Sequence, residues 1–448
     1  MDLRSRIADL MAPARDELAD FVSLRSVADP RQFPPEECVK AAHWVLDRFS
    51  ELGFSDAHLE MTPDGSNAVV GSRPCSDPDA RTVLLYAHYD VQPPLDDSAW
   101  RTPPFELTEV DGRWYGRGAA DCKGNILAHL TALRALGEAV PVNLKLVVEG
   151  SEEQGTGGLE AFVATHPELL RADTILVCDT GNAAVGHPAV TVTLRGMVNV
   201  VVRVGAMESE LHSGMFGGAA PDALAALIAM LASLRDGGGN TVITGLDNTQ
   251  TWTGEPYPPE QFRADGGLLE GVSLLGDGTV SDMLWARPAI TVLGIDCPPV
   301  TGSTAAISPR AAARLNLRVP PGMAPTAAHA ALVKHLQAAA PWGVHVEIET
   351  EAIGSPFQAT TDGPAFEAMG SAMLEAYGVP MATLGQGGSI PLCNVFAETY
   401  PDAELILMGV EEPLALIHAP NESVDPTEIQ AMALTIALFL QRYAAAGR

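Results

Sequence analysis

Positive charge is scarce in this chain. Lys and Arg number 27 against 56 Asp and Glu, a formal net charge of −29 over 448 residues. So acidic a chain repels phosphate backbones and anionic headgroups, so no nucleic acid or membrane partner is expected. Long apolar runs are missing too: no stretch approaches the ~18 apolar residues of a membrane span. The N-terminal 22 residues lack a basic start followed by an apolar block. With Leu3, Ile7, Leu10 and Met11 on one face they read as an amphipathic helix, not a leader. Cysteine is sparse. Cys38, Cys75, Cys122, Cys178, Cys297 and Cys393 form no C-x-x-C pair, so free thiols in a cytoplasmic protein are expected. There are no low-complexity blocks or internal repeats.

What remains is a globular composition, 47% hydrophobic and 19% charged. The length predicts two or three domains rather than one. Residues 1–60 read as helical, with a break at Pro34–Pro35. Four short apolar runs follow: Thr82–Ala87, Asn143–Val148, Thr174–Cys178 and Glu404–Val410. Each is of strand length and rich in Val, Ile and Leu on both faces, the pattern of a largely parallel sheet covered by helices. The first run ends at His88 and Asp90. The second leads to Glu152 and Glu153, the third ends at Asp179, and the fourth leads to His418. Ligands of open α/β sheets sit beyond the carboxyl ends of the strands, so four strands deliver imidazoles and carboxylates to one edge. Between 189 and 352 the texture changes. Val190–Val204 alternates like an antiparallel pair. Pro221–Leu234 and Ala327–Ala338 read as helices, Ala289–Gly294 and Ala311–Val319 as strands. The fold class is therefore α/β with an inserted α+β domain. The expected catalytic domain covers 1–188 and 353–448, interrupted by a lid at 189–352; the Gly-rich stretch 236–285 has no clear assignment.

His88, Asp121, Glu153, Asp179 and His418 offer imidazole and carboxylate donors without thiolate, a set suited to Zn²⁺, with Mn²⁺ or Co²⁺ also admitted. Charge balance favours two ions: three carboxylates and a hydroxide neutralise two divalent cations, whereas one ion leaves negative charge buried. Asp90 lies two residues beyond His88, on the same strand face, where its carboxylate would accept the other imidazole N–H. Asp121 sits in a glycine-flanked loop before an expected helix, Ile126–Leu136. Glu152 and Glu153 are adjacent and point apart, so one ligates while its neighbour serves the bound water as general base. Metals would acidify that water and polarise the carbonyl.

The ordered set AHYD, GRGAADCKGN, EGSEEQGTGG, CDT, HSGMFGG, GQGGSIP and HAPNE resembles the dinuclear-zinc metallopeptidases. That family includes carnosinase, cytosolic non-specific dipeptidase, aminoacylase and succinyl-diaminopimelate desuccinylase. The resemblance covers nearly the whole chain, and HYDVQP and HSGMFGG bring it nearest the dipeptidase branch. It implies that His88 and Asp179 bind one ion, Glu153 and His418 the other, with Asp121 bridging, Glu152 as base and Asp90 behind His88. It implies further that His212, reaching from the lid of a partner subunit, stabilises the oxyanion, which requires a homodimer. Arg318 with Gly387, Gly388 and Ser389 would hold the substrate's free carboxylate, and the Asp121–Cys122 peptide would be cis. The expected activity is hydrolysis of dipeptides or similar small amides. N-acyl amino acids are the alternative substrates, and a metal-binding protein without turnover is the third reading, opposed by the intact Glu152. Two departures bear on specificity. Ala306-Ile307-Ser308 stands where the family has V-I-P, and Thr180–Ala184 lacks the aromatics found near the substrate's amino end.

Overall fold

The computed structural model describes residues 2–77, 79–388 and 390–446, so Ser389 lies outside the described residues. The chain forms two compact units. One comprises Met1–Val192, Ala359–Leu384 and Pro391–Arg448; the other comprises Thr193–Gln358 with Gly385–Ile390.

The first unit is built on a mixed sheet. Its strands follow the order His58–Met61, Asn67–Arg73, Asn143–Glu149, Thr82–His88, Thr174–Cys178, Glu404–Met408, Ala189–Leu194. The four apolar runs are its parallel centre. Val83, Leu84, Leu85, Tyr86 and Ala87 are all fully buried, which is why that run shows no polar alternation. The register sets His88 opposite Glu149 and Cys178 opposite Met408. The strands thus end together, and the residues just past them share one edge. The helix Lys123–Leu136 is buried almost all round, as befits a central helix, and it packs against Leu3–Ser23 and Pro426–Ala445. The last begins with Pro426 at its first turn, and Asp425 accepts from Thr427 N, so a free N–H is capped where proline needs none. Each Leu or Ile buried here contributes about 1.5–3 kcal/mol.

The second unit carries a four-stranded antiparallel sheet in the order Ala289–Asp296, Arg310–Val319, Gly196–Gly205, His345–Gly354. Val198, Val200, Val202 and Val204 point inward at every second position. They meet Leu227 of the helix Ala223–Ala232 and Leu332 and Leu336 of the helix Pro325–Ala339 in one apolar cluster. The expected hairpin over Val190–Val204 is not formed. Ala189–Leu194 and Gly196–Gly205 are successive strands of two different sheets. The longer strand lies between Arg310–Val319 and His345–Gly354, and at Gly196 an added Cβ would fall 2.4 Å from the Gly354 carbonyl oxygen. Only glycine permits that approach. The stretch 236–285 contains the helix Pro259–Asp265 and a wide turn, Asp282–Ala286. It is organised by aromatic rings, with Trp252 and Tyr257 centred 5.0 and 6.0 Å from Trp285. Among the described residues no helix is long and apolar enough to cross a membrane.

Candidate functional site

Asp121 is the hub of the first unit's strand-end cluster. Its Oδ1 lies 3.0 Å from His88 Nε2 and its Oδ2 lies 2.9 Å from His418 Nε2. His88 Nε2 is also 2.9 Å from Asp179 Oδ1, and His418 Nε2 is 3.2 Å from Glu153 Oε2. Each oxygen of Asp121 thus faces its own imidazole, and each imidazole faces a second acid. All five residues chosen as ligands from the sequence are brought together, and the Asp121–Cys122 peptide is cis.

The electrostatics describe a site short of positive charge. Burial first, and then the charge of Asp121, pushes Glu153 up; burial likewise raises Asp179. Glu152 is held well above the ordinary range by burial and then by Asp179. Hydrogen bonds to Asp121 and Glu153 carry His418 up to about 11. Glu153 Oε1 is buried without a hydrogen-bond partner. A buried acceptor left open beside crowded carboxylates and two imidazoles fits divalent cations with nitrogen and oxygen ligands. Cys122 approaches His88 and Asp179. Its thiol, pushed up to about 12 by burial, donates to the Cys178 carbonyl at 2.9 Å, so it stays protonated rather than offering a thiolate.

Asp90 does something other than expected. The group facing His88 Nδ1 at 3.0 Å is the Asp90 backbone carbonyl, while the carboxylate stands 3.5 Å away. The carboxylate oxygens instead accept the backbone N–H of Glu152 at 3.2 Å and of Glu153 at 3.1 Å. Asp90 therefore fixes both the imidazole tautomer, through its main chain, and the loop carrying the two glutamates, through its side chain.

Three further residues escaped the sequence reading. Glu422, fully buried, accepts from Arg117 Nη1 at 2.7 Å, Gly118 N at 3.0 Å, and Ala120 N and Asp121 N at 3.1 Å each. It cradles the loop that presents Asp121, and its signal was the last letter of HAPNE. Gln92, within HYDVQP, donates to Glu153 Oε2 at 2.8 Å. Glu411, just past the fourth strand, places a carboxylate oxygen within 4.8 Å of oxygens of Asp121 and Asp179.

The remaining chosen residues belong to the second unit. His212 is exposed on a two-residue strand pairing with Ala306–Ile307, and its Nδ1 accepts from Gly214 N at 3.1 Å. Arg318 is half-buried on Arg310–Val319, and Gly388 is exposed in the Gly385–Ile390 segment.

The signature of peptidase family M20/M25/M40 matches residues 84–442. The chain is 45% identical to a cysteinylglycine-S-conjugate dipeptidase of Corynebacterium striatum, over 95% of this chain and 94% of that protein. It is 28% identical to the β-Ala-His dipeptidase of Rattus norvegicus, over 95% and 92% of the two chains. The crystal structure of human carnosine dipeptidase 1 superposes with a TM-score of 0.81 at 26% identity, covering 98% of each chain.

Proposed function

The chain belongs to peptidase family M20/M25/M40, and from that premise we propose that it hydrolyses dipeptides bearing a free carboxylate at a centre of two divalent cations. His88 and Asp179 would hold one cation and Glu153 and His418 the other, with Asp121 between them. The observation carrying this reading is the division of Asp121, one oxygen toward each imidazole. Zinc is the metal expected for such donors. The cations, when bound, supply Lewis acidity to the scissile carbonyl and acidify water.

The chain's own residues do the rest. Glu152, its backbone held by Asp90, takes a proton from the attacking water on its carboxylate and returns it to the leaving amine. Asp90 keeps His88 in one tautomer. His212 donates to the oxyanion from a partner subunit, and Arg318 with Gly388 and Ser389 receives the substrate carboxylate. The second unit is then the lid and the dimerisation surface, and the protein works in the cytoplasm. The names of its relatives choose the first substrates: cysteinylglycine and its S-conjugates, and β-alanylhistidine.

The test is hydrolysis by the Zn²⁺- or Mn²⁺-loaded protein of these peptides and their N-acetylated forms, with Glu152→Gln as control. Cleavage of the free peptides, lost in the variant, supports the reading. Cleavage of the acetylated set alone makes the protein an N-acyl-amino-acid hydrolase and refutes it.

A further inference from the structure

We propose that Arg195 is the second guanidinium of a two-arginine anion subsite in the second unit, and that it receives, with Arg318, the carboxylate of the substrate's leaving residue. The anion's identity as substrate rests on the peptidase reading; the subsite itself stands on geometry.

Arg195 lies in the single-residue gap between Ala189–Leu194 and Gly196–Gly205. It is only 8% exposed, yet its Nε and Nη1 are buried without a hydrogen-bond partner. A guanidinium carries five donors and cannot shed its charge, so burial normally comes with a carboxylate or a ring of carbonyls. This one has neither at those two atoms, in a chain with 56 acidic residues to choose from.

The sheet register brings a second cation to the same place. Arg318 pairs across the ladder with Met197, and Arg195 stands two residues before Met197. Gly196, next to Arg195, pairs with Val319, next to Arg318, so both arginines stand at the same end of this ladder, where long side chains of diagonal neighbours reach each other. Burial, and then the charge of Arg318, lowers Arg195 to about 10. Among the described residues no carboxylate forms an ion pair with either arginine.

Gln386 and Gly387 lie against Arg195. Arg195 N donates to the Gln386 carbonyl at 3.2 Å, and a Cβ on Gly387 would lie 2.7 Å from Arg195 Nη2. The guanidinium therefore lies directly against the Gly387 main chain, and any larger residue there would displace it. Two like charges, undercompensated and held beside open backbone, call for a planar anion that both forks can share. A carboxylate meets that description. A prop for the Gly387 turn alone would have no need of free N–H groups.

The experiment compares alanyl-leucine with alanyl-leucinamide on the full-length, metal-loaded enzyme. In Arg195→Met the KM for alanyl-leucine rises about 10- to 100-fold with kcat nearly unchanged, while kcat/KM for the amide stays near wild type. Arg195→Lys, which keeps the charge and loses the fork, falls between and serves if the Met variant does not fold. An equal loss on both substrates, or no change on either, overturns the assignment. Calorimetric titration with leucine and leucinamide separates this from the peptidase reading. If the wild type cleaves neither peptide but binds leucine through Arg195, the subsite stands and the peptidase reading falls. If leucine binds wild type and Arg195→Met alike, or does not bind wild type, the subsite falls.

Discussion

Replacing Glu422 by Gln changes one atom and should cost more than most truncations of the core. Glu422 is 0% exposed and Arg117 is 1% exposed. Burial pushes the Glu422 carboxyl up against the pull of Arg117, so the pair as a whole adds little to stability. Removing one partner is a different matter, because it leaves a buried guanidinium uncompensated, at about 3–5 kcal/mol. The amide also turns a donor toward Arg117 or toward the N–H groups of Gly118, Ala120 and Asp121, which the carboxylate now satisfies from both oxygens. The assay is urea unfolding at a fixed, buffered Zn²⁺ concentration, since metal loss would itself lower apparent stability. With a slope near ~3 kcal/mol/M the midpoint should drop by about 1 M or more. Adding Arg117→Met to Glu422→Gln should recover part of the loss, and the cycle should show coupling of at least ~1.5 kcal/mol. A Glu422→Gln midpoint within ~0.2 M of wild type, with metal content retained, would refute the argument.

Two other predictions follow from the same unit. Chelation should abolish hydrolysis and also lower the melting temperature, because Asp121, Glu153 and Asp179 would be left crowded and buried; re-adding Zn²⁺ should restore both, and an unchanged melt would count against a metal-braced cluster. Burial lowers His129 to about 4, so from pH 6.5 down to 4 the unfolded chain binds a proton that the folded chain refuses. Stability should therefore fall with falling pH across that window by up to about 3 kcal/mol, and His129→Leu should flatten this part of the profile by comparison with wild type in pH-dependent unfolding.

The central sheet was legible because its strands are buried on both faces, so Thr82–Ala87 and Thr174–Cys178 appear as unbroken apolar runs with chemistry at their ends. His88 and Asp179 could be chosen from that alone. Asp121 sits in a glycine-flanked loop where nothing local distinguishes it from a turn residue, so its bridging role rested on the resemblance. Val190–Val204 misled because alternation reports burial of one face, not which strand lies alongside. The strand Gly196–Gly205 instead pairs with Arg310–Val319 and His345–Gly354, both distant in sequence. The strand His345–Gly354 was missed because it is largely exposed and acidic at alternate positions.

The sequence by itself determined the elements, the order of their functional ends, and the chemical character of the donors, because hydrophobic period and residue type are local properties. Tertiary structure alone decided which oxygen of Asp121 faces which imidazole. It also decided that the Asp90 carboxylate serves the Glu152–Glu153 backbone and that Glu422 cradles a loop some 300 residues away in the chain. Each of these depends on groups distant in sequence meeting within a hydrogen bond's length, and a linear pattern carries no record of that distance.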